Sequence, residues 1–524
     1  MGRSTRIGLL VLSAAAAAAG GCGDERRSGG GGECGQPVDG SRLKAVYLAG
    51  EDGSRAYLPE NWHDSELGGV CFFRRASDGV YRCLPTSAAR VIGHYSDAGC
   101  TQPVGGRVER ACEVRFRGAT RHAVEVVRGD PTCGPDLERV LTLGQPVDPA
   151  ILYRRADDGT CQPDDRDPAV SFYEVGAEVP ASTFVAATGR TEGTRLQFEY
   201  RVAEDGASSL ISSLEFDPRF QSVCDWSFAA DGAVRCLPLR AGSAGNYFAD
   251  PQCARPLVEE WTSGPSCPGQ PELRPMVATR TTVEGQCLRR THVFEIGAKS
   301  VPSTTYLDLG GGGCYPLPNT EAVPYYELGA EIPPARFAAA SGPMTVACGH
   351  DRTSGTRLKA RYSQADGGDR ITQGFGLASV APRWYDEAMG GECSFQNAED
   401  GVMRCLPRVL GGDSFADPAC SEPLIMADSC SPPDGPDAPR FAGEALFDQG
   451  GDLDVCVYND VKVRVYALGA AVTPAEYYVR SSTDGACTAQ PNIEVPPDVH
   501  PFTFYPRGAE VPPSAFVAAS LHGP

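Results

Sequence analysis

The sequence predicts an all-β fold: three tandem disulfide-rich modules closed into a β-propeller-like array, the alternative being three separate small β domains in a row. Three observations carry this. Gly (61) and Pro (43) make up about a fifth of the chain, too much for helices, whose interiors tolerate neither well. Apolar residues are 41% of the 524, enough for packed cores and against wholesale disorder. A cysteine-bearing pattern occurs three times, and such a repeat fixes the organisation before any single element does.

Residues 1–21 read as a signal peptide. Arg3 and Arg6 precede an apolar stretch, Ile7 to Ala19, and small residues lead to Cys22. The stretch is too short for a spanning helix. A cysteine directly after small residues resembles the lipobox of bacterial lipoproteins. That resemblance implies lipidation of Cys22 and a membrane partner reached through the lipid. The position three before the cysteine, usually Leu, is Ala19 here. Residues 22–40 then form the lipidated cysteine and a flexible Gly-rich tether. The expected location is the cell envelope, at the outer membrane, facing either periplasm or exterior.

Module one is 41–193, module two 194–355 and module three 356–524. Their openings align as Ser41-Arg42-Leu43, Thr194-Arg195-Leu196 and Thr356-Arg357-Leu358. An Asp stands seven before a Cys in each (Asp64/Cys71, Asp217/Cys224, Asp386/Cys393), and an Asp-Gly follows (Asp78-Gly79, Asp231-Gly232, Asp400-Gly401). Arg-Cys-Leu-Pro comes next, at 82–85, 235–238 and 404–407, and then Asp-x-x-Cys from Asp97, Asp250 and Asp417. Each module ends on Gly-Ala-Glu-x-Pro and a Phe: Phe184, Phe337 and Phe516.

The local signals are β. Leu43 to Tyr47 alternates apolar and polar residues, as a half-buried strand does. Cys71-Phe72-Phe73 and Val80 to Cys83 flank Asp78-Gly79, a hairpin whose Gly supplies positive φ. No segment after the signal has the period of an amphipathic helix. The seams between modules are short, which favours packed neighbours, although the one after Phe337 is longer and carries Cys348.

Apart from Cys22 the cysteines form three matching sets of six and one extra pair. The sets are Cys71, Cys83, Cys100, Cys112, Cys133, Cys161; Cys224, Cys236, Cys253, Cys267, Cys287, Cys314; and Cys393, Cys405, Cys420, Cys430, Cys456, Cys487. The extra pair is Cys34 and Cys348. An even count in an exported chain reads as disulfides. The hairpin makes Cys71–Cys83 and its counterparts the first choice. Proximity alone suggests Cys100–Cys112 and Cys133–Cys161, and elimination leaves Cys34–Cys348. Zinc is the rival, but no Cys-x-x-Cys occurs, and structural zinc sites use closely spaced ligands.

Charge and motifs exclude much. Lys+Arg is 47 against Asp+Glu 67, a formal charge of −20, so a nucleic-acid partner is excluded. No His-Glu-x-x-His, Gly-x-Ser-x-Gly or phosphate loop occurs, so no catalytic residue, metal or cofactor is assigned. His63 aligns with Phe216 and Tyr385 and reads as a packing position. Asp64, Asp97 and their counterparts, with Glu178, Glu331 and Glu510, recur once per module. They fit turn capping, with calcium binding as the functional rival. Asp164, Asp165 and Asp167 read as a solvated loop, and Arg128-Gly129-Asp130 as a chance tripeptide.

The ordered motifs from Arg-Leu to Gly-Ala-Glu-x-Pro are similar to repeats in secreted cysteine-rich lipoproteins of the myxobacterial type. That resemblance implies an envelope location and no particular activity. The expected function is non-enzymatic: binding of a protein or glycan, or a structural role in the envelope. The alternatives are an envelope glycan hydrolase with a carboxylate pair and a calcium-dependent adhesin.

Overall fold

A computed structural model describes residues 35–522, apart from 109–120, 128–135, 260–276, 373–383, 427–439, 447–460, 493–501 and shorter stretches of one to five residues. The described residues form strands, three one-turn 3-10 segments (Ala181–Thr183, Pro334–Arg336, Pro513–Ala515) and no α-helix. The fold is all-β and disulfide-rich, as the repeats imply.

Each module begins as a four-stranded antiparallel meander. In module one it is β1 (Leu43–Gly50), β2 (Arg55–Asp64), β3 (Gly69–Arg75) and β4 (Tyr81–Pro85). The Asp-Gly turns behave as their chemistry demands: Gly79, Gly232 and Gly401 have φ of 79°, 77° and 75°, which only glycine adopts without strain. The Arg of each Arg-Cys-Leu-Pro ties its turn to the module's end. Arg82 donates to Asp78 and to the Phe184 carbonyl, Arg235 to Asp231 and Phe337, and Arg404 to Asp400 and Phe516.

The meanders join through shared strands. In module one the later strands are β5 (Ala88–Val91), β6 (His94–Tyr95), β7 (Val104–Val108), β8 (His122–Val127), β9 (Leu137–Val147), β10 (Leu152–Arg155), β11 (Cys161–Asp164), β12 (Val170–Glu178) and β13 (Ala186–Glu192). Module two opens with β14 (Phe198–Ala203) and β15 (Ser208–Leu210). Strand β13 pairs with β4 at its start and with β14 along most of its length. After module two, Ala339 bridges Arg235, and Met344–Val346 pairs with Leu358–Gln364. After module three, Ala518 bridges Arg404, and Ala519–His522 pairs with β1. A hydrogen-bonded path of strands therefore runs through all three modules and returns to its start.

The cores follow the same sharing. Leu43, Trp62, Cys71 and Cys83 pack with Ala203 and Ala207 of the second module. Leu358, Trp384, Cys393 and Cys405 pack with Leu48 and Ala56 of the first. Burying one such Leu contributes about 1.5–3 kcal/mol, so part of each module's core energy depends on its neighbour. One exchange inside these cores is compensated. Trp62 meets Phe73 edge-on and Trp384 meets Phe395 in the same way. In module two these positions hold Glu215 and Trp226, and the indole N–H donates to the carboxylate at 3.2 Å.

The second half of module one is a closed five-stranded barrel, in the order β12-β7-β5-β8-β9. Only β5 and β8 run parallel. Closure brings the strands close: a Cβ on Gly105 of β7 would stand 3.1 Å from the Ala89 side chain. Module two repeats the circuit with Ala241–Phe248, Pro256–Glu259, Val277–Glu284, Leu288–Ser300 and Tyr325–Glu331. Module three repeats the strand order as an open sheet over its described residues.

A hairpin flanks the barrel of modules one and two and the corresponding sheet of module three, and its outer strand is a free edge among the described residues. Pro163, Pro316, Pro318 and Pro491 lie there at positions not hydrogen-bonded to the inner strand, as the flanking bonds Ala156–Thr160, Asn319–Ser303 and Asn492–Ala475 fix the register. The missing N–H groups thus fall on the open edge, where they block further strand addition.

The described disulfides are Cys71–Cys83, Cys224–Cys236, Cys393–Cys405, Cys100–Cys161, Cys253–Cys314 and Cys420–Cys487. The hairpin pairs are as expected. The expected Cys100–Cys112 and Cys133–Cys161 are corrected: Cys100 bonds Cys161, 61 residues away. The reason is tertiary. Strand β10 pairs with β6, which brings the β10–β11 hairpin back to the turn holding Cys100. Cys112, Cys133, Cys267, Cys287, Cys430 and Cys456 lie outside the described residues, as do Cys22, Cys34 and Arg128-Gly129-Asp130. Cys348 is disulfide-bonded.

Candidate binding site

What repeats is committed to structure. The opening Arg of each module meets the recurrent Asp at the far end of the next strand. Arg42 donates twice to Asp64 at 2.7 Å, Arg357 twice to Asp386 at 2.8 and 2.7 Å, and Arg195 stands 2.7 Å from Asp217. These carboxylates are at most 1% exposed. Asp64 also accepts the N–H groups of Glu66 and Leu67. It is therefore both a turn cap and half of a buried ion pair. The neighbouring module caps the same openings: Asp205 accepts the N–H groups of Arg42 and Leu43, and Asp52 those of Arg357 and Leu358.

Asp97, Asp250 and Asp417 are turn caps. Asp97 accepts N–H groups from Gly99, Thr101 and Gln102 as well as the Thr101 hydroxyl. The Gln102 N–H, then Thr101, holds its carboxyl below the usual range. Asp250 and Asp417 take equivalent donors. Calcium would have to displace these donors.

Glu178 does not cap a turn. Its carboxylate accepts the Ser77 hydroxyl at 2.7 Å and the Arg139 guanidinium at 3.0 Å. Glu331 meets His292 at 2.8 Å, and Glu510 stands 3.6 Å from Arg464. Arg139, His292 and Arg464 occupy one register position, two before the residue paired with the Glu. A cation recurs there although no residue type does. His63 lies in β2 with its Nδ1 buried and without a partner. Asp164 meets His94 at 3.1 Å rather than standing in a solvated loop.

One seam departs from the threefold pattern in its chemistry. Register places Arg75 opposite Tyr81, Tyr81 opposite Ala187, Ala187 opposite Ala203 and Gly189 opposite Arg201. Paired residues share a face and alternate residues return to it, so Arg75, Tyr81, Gly189, Arg201 and Glu199 lie on one face of β3, β4, β13 and β14. This face also carries the disulfide core, and the charged residues stand at its rim. The Arg201 guanidinium lies 3.8 Å from the centre of the Tyr81 ring, and that of Arg75 lies 5.1 Å from it. Arg201 is only 9% exposed. The Arg75 guanidinium, with Arg201 beside it, holds the Tyr81 phenol below its ordinary value against burial.

Glu60, on β2, completes the cluster. Its φ is 59°, a left-handed conformation that costs a non-glycine residue about 1–3 kcal/mol. Burial pushes its carboxyl up; Glu199 adds to the rise, while Arg201 and Arg74 oppose it. At the other two seams the positions of Arg75, Tyr81 and Arg201 hold Phe228, Val234 and Ser363, or Asn397, Met403 and Leu48.

A second group outside the repeat fills the long seam after module two. Tyr362 donates to Asp351, Arg352 stacks 4.8 Å over the Tyr362 ring, and His350 packs edge-on against it. Burial lowers the His350 pKa. The N-terminal segment is pinned here. Gln36 donates to Thr353 at 2.6 Å, and Val38 pairs with Ser208 of module two. This group is satisfied internally and anchors the entry of the chain.

The comparisons add a family without a function. Residues 15–344 match DUF7481, a family of unknown function. The match covers more than half of the chain, and the chain belongs to that family. No curated protein and no solved structure matches it.

Proposed function

We propose that this DUF7481 member is an exported, lipid-anchored binding protein of the cell envelope without catalytic activity. The six described disulfides carry this reading: such bonds persist in oxidising compartments and rarely in a cytosol. The signal-like N-terminus and Cys22 supply the route and the anchor. The repeated residues support a scaffold role, because their charges are spent on clamps and turns. The unrepeated charge at the first seam is the part left for a ligand, a protein or glycan outside the cell or in the periplasm.

Labelling with a radioactive fatty acid tests the anchor. Wild-type protein takes up label and sediments with outer membranes, whereas Cys22→Ala takes up none and appears in the soluble fraction. Label retained by Cys22→Ala overturns the reading. One observation favours a glycan hydrolase instead: Glu60 and Glu199 share a cluster, and the half-buried Glu60 is shifted up, as a general acid is. Release of reducing ends from an envelope polysaccharide, lost in Glu60→Gln, would establish that rival.

A further inference from the structure

We propose that the seam between modules one and two binds an acidic saccharide, with Arg75 and Arg201 holding its carboxylate and Glu60 and Glu199 accepting its hydroxyls. This deepens the reading of the protein as an envelope binder and rests on it. A cation is enclosed at this seam. Arg201 is nine-tenths buried, and no carboxylate among the described residues lies at ion-pair distance from it or from Arg75; Glu60 acts on Arg201 only from farther off. An enclosed charge with no carboxylate in direct contact is costly. In a chain with 67 acidic residues against 47 basic, carboxylates are abundant, and the other seams do without the arginines altogether. Both guanidiniums lie against one aromatic ring, that of Tyr81, Arg75 reaching it from β3 and Arg201 from β14.

Gly189 lies beneath the cluster, where an added Cβ would stand 3.4 Å from Glu199 Oε1 and 4.0 Å from Arg201 Nη1. The acid and the guanidinium thus stand over a residue with no side chain, where one more carbon would be in ordinary contact with both. Arg75, Gly189 and Glu199 are exposed and Tyr81 half-buried, so the cluster is open to a ligand.

Guanidinium forks match a carboxylate or a phosphate. The nearby carboxylates disfavour a doubly charged phosphate more than a singly charged carboxylate. They also need hydroxyl donors, which a bare anion cannot offer. A sugar acid supplies both groups.

Calorimetric titration of the full-length protein in detergent tests this, with oligogalacturonate as probe. Neutral oligogalactose of equal length and inorganic phosphate are the comparisons. Oligogalacturonate is expected to bind at least tenfold more tightly than oligogalactose, and phosphate to compete weakly. Arg75→Gln removes an exposed cation, and Gly189→Val crowds the acid and the guanidinium without changing charge. Each is expected to weaken oligogalacturonate at least tenfold with the melting temperature unchanged. No oligogalacturonate binding, equal affinity for the neutral oligomer, phosphate competing as well as the sugar acid, or either variant binding like wild type overturns the proposal. A protein that takes up fatty acid at Cys22 and binds no oligogalacturonate loses this inference alone.

Discussion

Replacing Asp64 by Asn probes both the clamp and the coupling of the modules. The carboxylate is fully enclosed, receives two charged donors from Arg42 at 2.7 Å and caps two N–H groups. Asn keeps one acceptor oxygen but sets an N–H₂ group against the guanidinium. Breaking a buried pair costs about 3–5 kcal/mol. Arg42 is 16% exposed and keeps Glu66 at 2.8 Å, so the lower end, about 3 kcal/mol, applies.

The melting shift then depends on what unfolds together. At roughly 2.1 cal/mol/K per residue, a lone module of about 150 residues would shift by about 10 °C, and a ring of about 490 by about 3 °C. Because strands and cores cross the seams, the small shift of one common transition is expected in scanning calorimetry. Asp386→Asn should match it. Asp217→Asn should cost less, since Asp217 Oδ2 has no partner to lose. A shift near 10 °C, a transition split in two, or a cost below about 0.5 kcal/mol would refute the reasoning.

Other outcomes follow from the same structure. Peptide mapping without reductant should recover Cys100 linked to Cys161 and never to Cys112; replacing both by Ser should remove about 4 kcal/mol in the chain-entropy model. The His350 pKa is depressed by burial, so its stabilising share is complete above the unfolded value of about 6.5 and is lost as pH falls below it. Melting temperatures between pH 8 and pH 5.5 should therefore drop less in His350→Gln than in wild type. Replacing Pro316 and Pro318 by Val restores two N–H groups on an open edge, and light scattering should show self-association that wild type lacks.

The legible parts of the fold were local. Cys71, Asp78-Gly79 and Cys83 sit within one hairpin, so composition and spacing sufficed to place the strands, the turn and the bridge. Cys100–Cys161 depends on β10 returning to β6, a pairing with no local signature. Arg42 and Asp64 were both visible as repeats, but their partnership requires knowing that β1 and β2 are antiparallel neighbours. The Glu178 position looked like a turn because its partner is a type of charge, Arg139, His292 or Arg464, and not one residue. The charged seam was least legible. Glu60, Arg75, Tyr81 and Arg201 come from four strands, form no motif, and stand out only when the three modules are superimposed by register.

The last described strand closes the ring on the first. Ala49 and Ser520 are direct partners across that closure. Cysteines placed at both positions should form an intramolecular disulfide, read by peptide mapping of monomeric protein and accompanied by a higher melting temperature. Two free thiols at these positions, or a bridge found only between separate chains, would contradict the closed ring.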